Sequence, residues 1–231
     1  MINKIKYGES VIVYDLIQSN RRKTSQITIN SDGVTVRIPD TKNISDAKEM
    51  VKQRAQWIYK KQLQYNSQKV TTFSKNSKLS YKGKDYTIKI IPQSKEKVKL
   101  VGGVIEFYIP QKRHTTLQIK SMYNSWMFSK AEITLPKIVQ KISNQTKINY
   151  SKINIKSLKD RWGSATPTGE INLNSHILKA PKKVMEYVIL HELCHIKIKE
   201  HSHRFWNLLS KYMPEYERHT KWLDNHGILV A

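Results

Sequence analysis

The stretch His191-Glu192-Leu193-Cys194-His195 leaves this chain few choices. It lies among apolar residues at helical spacing, Val184, Val188, Ile189, Leu193 and Ile196, and the helix-start signal Ala180-Pro181 precedes it. On a helix, His191 and His195 stand one turn apart on one face. Two neutral imidazoles held that way grip one Zn2+ ion, and Glu192 lies beside the metal to handle protons. A third protein ligand leaves the fourth position for water, the arrangement of a catalytic zinc rather than a structural one. His201 has the reach for that third place once the chain turns back after the helix. Glu215, on a following helix, and His203 are rival donors, since a carboxylate or an imidazole completes such a site. The plainer reading, satisfied core or surface histidines, is weakened by the helical setting and the further histidine.

The other residues of the motif have ordinary readings. Cys194 lies beside the histidine face, and a small buried residue is its expected role. It is the only cysteine among 231 residues, so no internal disulfide forms, which suits a reducing compartment. The opening residues 1–8 contain no apolar core of signal-peptide length. Apolar runs such as 11–17 are too short to span a membrane. The expectation is a folded cytoplasmic protein with no membrane partner.

The net charge of +23 is unevenly spread. Residues 151–231 hold 13 Lys/Arg and 8 Asp/Glu, while residues 1–150 hold the other 28 and 10, so the front half carries a net +18. Such a face could hold nucleic acid, nucleotides or an acidic partner. A codon bias towards Lys, Ile and Asn, scattering lysines over any surface, is the plainer explanation. Tyr59, Tyr65, Phe73, Tyr81 and Tyr86 interleave with lysines and could stack bases, but their spacing favours core positions.

Taken in order, residues 5–38 read as antiparallel strands, β-rich at 12–14, 27–29 and 34–38, with Ser31-Asp32-Gly33 as a hairpin turn. Arg21-Arg22-Lys23-Thr24 reads as a solvated edge face. A helix follows from Ser45, its expected N-cap, to about Gln64. Residues 66–78 are polar, and strands at 87–91, 97–101 and 104–109 come next, the last two joined by Gly102-Gly103. Residues 113–147 read as helical, with a break or kink at Pro136. A strand at 153–156 and another at 170–174 flank the turn Thr166-Pro167-Thr168-Gly169. This hairpin immediately precedes the histidine helix, and its edge could pair with an extended peptide lying across the metal. An amphipathic helix at 204–209, a break at Tyr212-Met213-Pro214 and a last helix ending at Gly227 close the chain.

Arg161-Trp162-Gly163-Ser164, Ile171-Asn172-Leu173, His191-Glu192-Leu193-Cys194-His195, His201-Ser202 and Phe205-Trp206 occur in an order and spacing that resemble the YgjP-like metal-dependent hydrolases, relatives of the WLM and SprT-like zinc peptidases. The tail from Tyr212 to Leu223 fits the same pattern, and Asn20 to Thr24 fits it more loosely. The resemblance covers nearly the whole chain, most specifically residues 157–226. It implies an α+β chain, with a β-rich N-terminal section at 1–110 containing one helix and a zincin-like catalytic domain at 111–231. It favours His201 as third metal ligand. Ala165 departs from the family, which usually has a cysteine there, so no thiol chemistry is expected at that position.

The resulting expectation is a zinc-dependent hydrolase of peptide or protein substrates, with one ion on His191, His195 and His201 and with Glu192 as general base. Arg161 is the candidate oxyanion stabiliser, because its hairpin adjoins the metal helix, although a salt bridge to Asp160 or a helix carboxylate is an equal reading. Trp162, Trp206 and Trp222 read as core. Two alternatives use the same residues differently. One is a metal-dependent hydrolase of nucleotides or other phosphoanhydrides, and the other is a basic nucleic-acid-binding module with a structural zinc.

Overall fold

A computed structural model describes residues 2–8, 10–21, 23–30, 33–67, 73, 77–110, 114–158 and 161–226. Arg22, the turn residues Ser31 and Asp32, Asp160 and the terminal Gly227 lie outside them. The fold is α+β. It divides into two compact units, Met1–Lys69 and Val70–Ala231.

In the first unit, β1 (Ile2–Tyr7) and β2 (Ser10–Ser19) form one antiparallel hairpin, and β3 (Gln26–Asn30) and β4 (Gly33–Pro39) form another. β2 and β4 run parallel between them, not antiparallel as the sequence reading has residues 5–38, because β3 lies between them in the chain and pairs on the outer side of β4, giving the order β1-β2-β4-β3. Period-2 alternation turns Ile12, Tyr14, Leu16, Val34, Val36 and Ile38 to one face. Ala47, Val51, Ala55 and Ile58 of α1 (Ile44–Gln53) and α2 (Ala55–Ser67) complete that core. The cap of α1 is Asn43 rather than Ser45. Asp46 N donates to Asn43 Oδ1 and Asn43 N donates to Asp46 Oδ2, each at 2.9 Å. That reciprocal box needs an acid three residues past the cap. Asn43 has Asp46 there, whereas Ser45 has Lys48.

The second unit opens by repeating the first. β5 (Lys78–Tyr81), β6 (Lys84–Pro92), β7 (Lys97–Val101) and β8 (Val104–Ile109) form two hairpins around a parallel central pair, in the order β5-β6-β8-β7. The registers correspond. Tyr7 opposite Ser10 becomes Tyr81 opposite Lys84, Tyr14 opposite Val34 becomes Ile88 opposite Ile105, and Asn30 opposite Gly33 becomes Val101 opposite Val104. Buried Val34, Val36 and Ile38 precede Pro39, as buried Ile105, Phe107 and Ile109 precede Pro110. A helix follows each time, and Ala47, Val51 and Ala55 answer to Ile119, Tyr123 and Met127. The chain thus holds two copies of one four-strand-and-helix unit.

The boundary between the compact units falls ahead of the second copy, not after residue 110 as the sequence reading places it. Leu79, Ile88, Ile105, Phe107 and Ile109 share one apolar core with the later helices, so β5–β8 belong with them. Phe73 and Tyr81 are buried in that core and unavailable for stacking on bases. The helix after β8, α3 (Thr116–Thr146), is continuous through Pro136, and buried Leu135, Val139 and Ile142 hold it on either side. A small sheet follows, β9 (Lys152–Lys156), β10 (Gly163–Ala165) and β11 (Glu170–Asn174), in the order β10-β11-β9, which leaves β10 at an edge. A 3₁₀ segment, Ser175–Lys179, leads to α4 (Lys182–Lys197), then α5 (His203–Tyr212) and α6 (Tyr216–His226). α4 is buried on most sides, which fixes its rotation and so the direction of its histidines. Among the described residues, no helix is long and apolar enough to cross a membrane.

Candidate metal centre

The rotation of α4 brings His191 and His195 to one face, and the turn between α4 and α5 returns His201 to it. The three Nε2 atoms stand 3.0 Å (His191 to His195), 3.1 Å (His195 to His201) and 3.0 Å (His201 to His191) apart. Nitrogens at about 2.0–2.1 Å from a tetrahedral zinc lie roughly 3.3 Å from each other, so the cluster has the dimensions of a ligand set. The tautomer of His195 fits as well. Its Nδ1 lies 3.1 Å from Ile198 O. A carbonyl only accepts, so Nδ1 carries the proton and Nε2 presents its lone pair to the cluster. Burial, and then the neighbouring imidazoles, push His191 down to about 3, while burial and His195 lower His201. Neutral imidazoles are what a dication binds.

Aromatic rings hold the cluster in place. The Phe205 ring centroid lies 4.9, 4.5 and 4.9 Å from those of His191, His195 and His201. Trp206 stacks on His201 at 5.5 Å, and its Nε1 donates to His201 O at 3.2 Å. Trp206 is therefore a support of the cluster rather than plain core, while Trp162 and Trp222 are half-buried against the main core. The tyrosine one turn before His191, Tyr187, meets that ring edge-on and accepts a hydrogen bond from Thr220 Oγ1 at 2.9 Å. Sequence reasoning gave Tyr187 and Phe205 no part in this centre.

Among the described residues, His191, His195 and His201 form the grouped donors, and neither rival joins them. Glu215 acts electrostatically on His219 instead, and His203 is an exposed residue at the start of α5. Cys194 is fully buried, and burial pushes its thiol up to about 12, so it is no thiolate.

Glu192 is 6% exposed, and burial lifts its carboxyl to about 8 against the opposing pull of Arg161. The first strand residue after Trp162 explains how it fits. A Cβ on Gly163 would lie 2.8 Å from both Cγ and Oε1 of Glu192, so the β10 backbone occupies the space a side chain needs. Arg161 is exposed and lies two residues before this contact, where its charge reaches Glu192.

One further residue organises this corner, and sequence reasoning passed over it. Asn174 is fully buried at the end of β11. Its Nδ2 donates to Leu158 O at 2.8 Å and Arg161 O at 3.0 Å, its Oδ1 accepts from His176 N at 3.2 Å, and its own N–H donates to Trp162 O at 2.8 Å. The only signal available beforehand was an asparagine, a poor strand former, ending an apolar alternation. Asn174→Ala removes the donor to two part-buried carbonyls and is expected to lower unfolding free energy by roughly 1–3 kcal/mol. Denaturant midpoints at constant slope measure that loss.

A histidine cluster of this kind, with a buried carboxyl alongside, is the equipment of a metal-dependent hydrolase. The chain belongs to the YgjP-like family, whose metallopeptidase-domain model matches residues 23–226. Among solved structures, it is similar to the metallopeptidase zymogen jannalysin of Methanocaldococcus jannaschii, with 31% identity over 38% of this chain and 92% of that one and a TM-score of 0.35. It is also similar to the zymogen abylysin of Pyrococcus abyssi, with 24% identity over 39% of this chain and 90% of that one and a TM-score of 0.36. No curated protein matches the chain.

Proposed function

We propose that this protein is a zinc-dependent peptidase in which His191, His195 and His201 hold one ion and Glu192 is the general base. The observation that carries the reading is the convergence of three Nε2 atoms within 3.1 Å, on the helix face next to a buried carboxyl. When bound, zinc supplies the positive charge that acidifies water and polarises a carbonyl. Glu192 takes the proton from the attacking water and delivers it to the leaving amine. Its burial keeps it within reach, because the wall formed by Gly163 leaves the carboxyl little room to turn away. The edge strand β10 offers unpaired backbone groups to an extended peptide, which is bound through its main chain whatever its sequence. Arg161 acts electrostatically on Glu192, which supports it as the cation that stabilises an oxyanion.

The test sets a panel of unstructured peptides against a panel of nucleoside triphosphates, with metal content measured on the same samples. The expected result is about one zinc per chain and peptide cleavage that stops on chelation and returns with zinc. His201→Ala is expected to weaken zinc binding more than roughly a hundredfold, beyond the cost of losing an outer partner of a ligand. Phosphate release from the triphosphates with intact peptides would replace the peptidase reading with phosphoanhydride hydrolysis.

A further inference from the structure

At the opposite end of α4 from the histidines lies a concavity with a volume of about 390 Å³. Its floor is apolar, made by Ile138 of α3 and Met185 of α4, with Ile133 of α3 at its edge. Its rim carries Lys82, Lys137 and Lys182, and among the described residues no carboxylate lines it. Glu186, one residue past Met185, is already engaged by Lys141 at 3.5 Å and Lys183 at 3.7 Å.

The rim is built in. Lys82 has φ +51, a conformation that non-glycine residues seldom adopt. It is held there by Lys82 N donating to Leu178 O at 2.6 Å and Gly83 N donating to Lys179 O at 2.9 Å. Gly83 presses on Pro181, where a Cβ would lie 2.8 Å from Cγ of the proline. The β5–β6 turn is thereby locked to the residue before Lys182. Ile133 is 59% exposed, an aliphatic side chain left in water at the edge of an apolar hollow.

We propose that this hollow is a docking site for an acidic polypeptide segment, with one large apolar side chain inserted between flanking Asp or Glu residues. Three ammonium groups on three separate elements, that of Lys82 lying over the Tyr81 ring at 5.3 Å, attract several negative charges spaced around an apolar anchor. A polypeptide supplies that pattern, and a single fatty carboxylate does not. Nucleic acid supplies the charges, but the aliphatic floor offers its bases no ring to stack on. Use of the site to recruit protein substrates rests on the peptidase reading, whereas the binding itself does not.

The experiment uses the full chain carrying Glu192→Gln, so that binding is read without cleavage. The probe is a fluorescein-labelled peptide with one leucine between two runs of three aspartates, followed by anisotropy. The expected result is saturable binding that weakens with salt, at least tenfold weaker in Lys137→Glu/Lys182→Glu and about threefold or more weaker in Ile133→Ser. All three side chains are at the surface, and unchanged melting temperatures confirm the fold of the variants. A peptide with serine for leucine should bind at least threefold less tightly than the probe. Equal binding by the variants, or by the serine peptide, overturns the proposal. So does a peptide that fails to bind while duplex DNA or phosphatidylglycerol vesicles bind with the same dependence on these residues.

Discussion

Replacing Glu192 with glutamine should leave zinc content and fold intact and lower kcat for peptide hydrolysis by roughly 10²–10⁴, the range a positioned general base contributes. Glutamine has the same shape, so the close fit against Gly163 survives. What it lacks is a basic oxygen to take a proton from water. Hydrolysis measured beside metal content separates this outcome from loss of the site. Undiminished turnover in a zinc-loaded variant would end the assigned role. A second measurement reads the same side chain through stability. In metal-stripped protein, burial raises the Glu192 carboxyl from 4.5 to about 8. The folded form then binds more protons than the unfolded form between those values, so ionising Glu192 destabilises the fold as pH rises through that window. Glu192→Gln removes the burden. The stripped variant should melt above the stripped parent at pH 8–9, and the gain should shrink towards pH 4.5.

Gly163→Ala is expected to be nearly as damaging to activity, although residue 163 has no chemistry of its own. The added methyl would lie 2.8 Å from Cγ and Oε1 of Glu192 and 3.0 Å from Cδ, all inside contact distance. The conflict is steric, not conformational, since Gly163 is not among the positive-φ residues. Either the carboxyl moves or β10 lifts from β11, disturbing the pairs Gly163 with Leu173 and Ser164 with Asn172. A shift of about 1 Å in a reacting group costs on the order of a hundredfold in rate, and overpacking costs about 1–3 kcal/mol of stability. Steady-state kinetics and denaturant melts on one preparation give both numbers. An alanine variant with parental activity would mean that the carboxyl acts from another position.

Much of the centre was legible beforehand, because helix geometry and zinc stereochemistry act over a few residues. The four-residue spacing of His191 and His195 needs only a helix to become a pair of adjacent donors. His201 was legible over Glu215 and His203 through the resemblance, whereas spacing alone left all three open. In the fold, the choice depends on how sharply the chain turns between α4 and α5, and Phe205 and Trp206 set that turn. The contact of Gly163 with Glu192 was illegible, since it joins β10 to α4 across β11 and the 3₁₀ segment. The same holds for Asn174, two of whose partners are the carbonyls of Leu158 and Arg161 on the far side of the hairpin. In the front half, alternation showed which strand residues are buried but not what buries them, so β5–β8 were grouped with the wrong neighbours. The duplication was hidden because equivalent positions keep apolar character and not identity, as Val36 and Phe107 do.

The duplication has a consequence for how the chain reaches this fold. Strand β2 would find in β8 nearly the same apolar edge that it finds in β4, and β6 would find the same in β4. Hybrid sheets are therefore accessible competitors, and tandem units of one design are prone to such swaps. Proximity along the chain favours the correct partners, because the hairpins of each copy close within about 1–10 μs and the shorter connection between β2 and β4 then costs less loop entropy than one reaching β8. Synthesis from the N-terminus helps further, since the first copy can close before the second has left the ribosome.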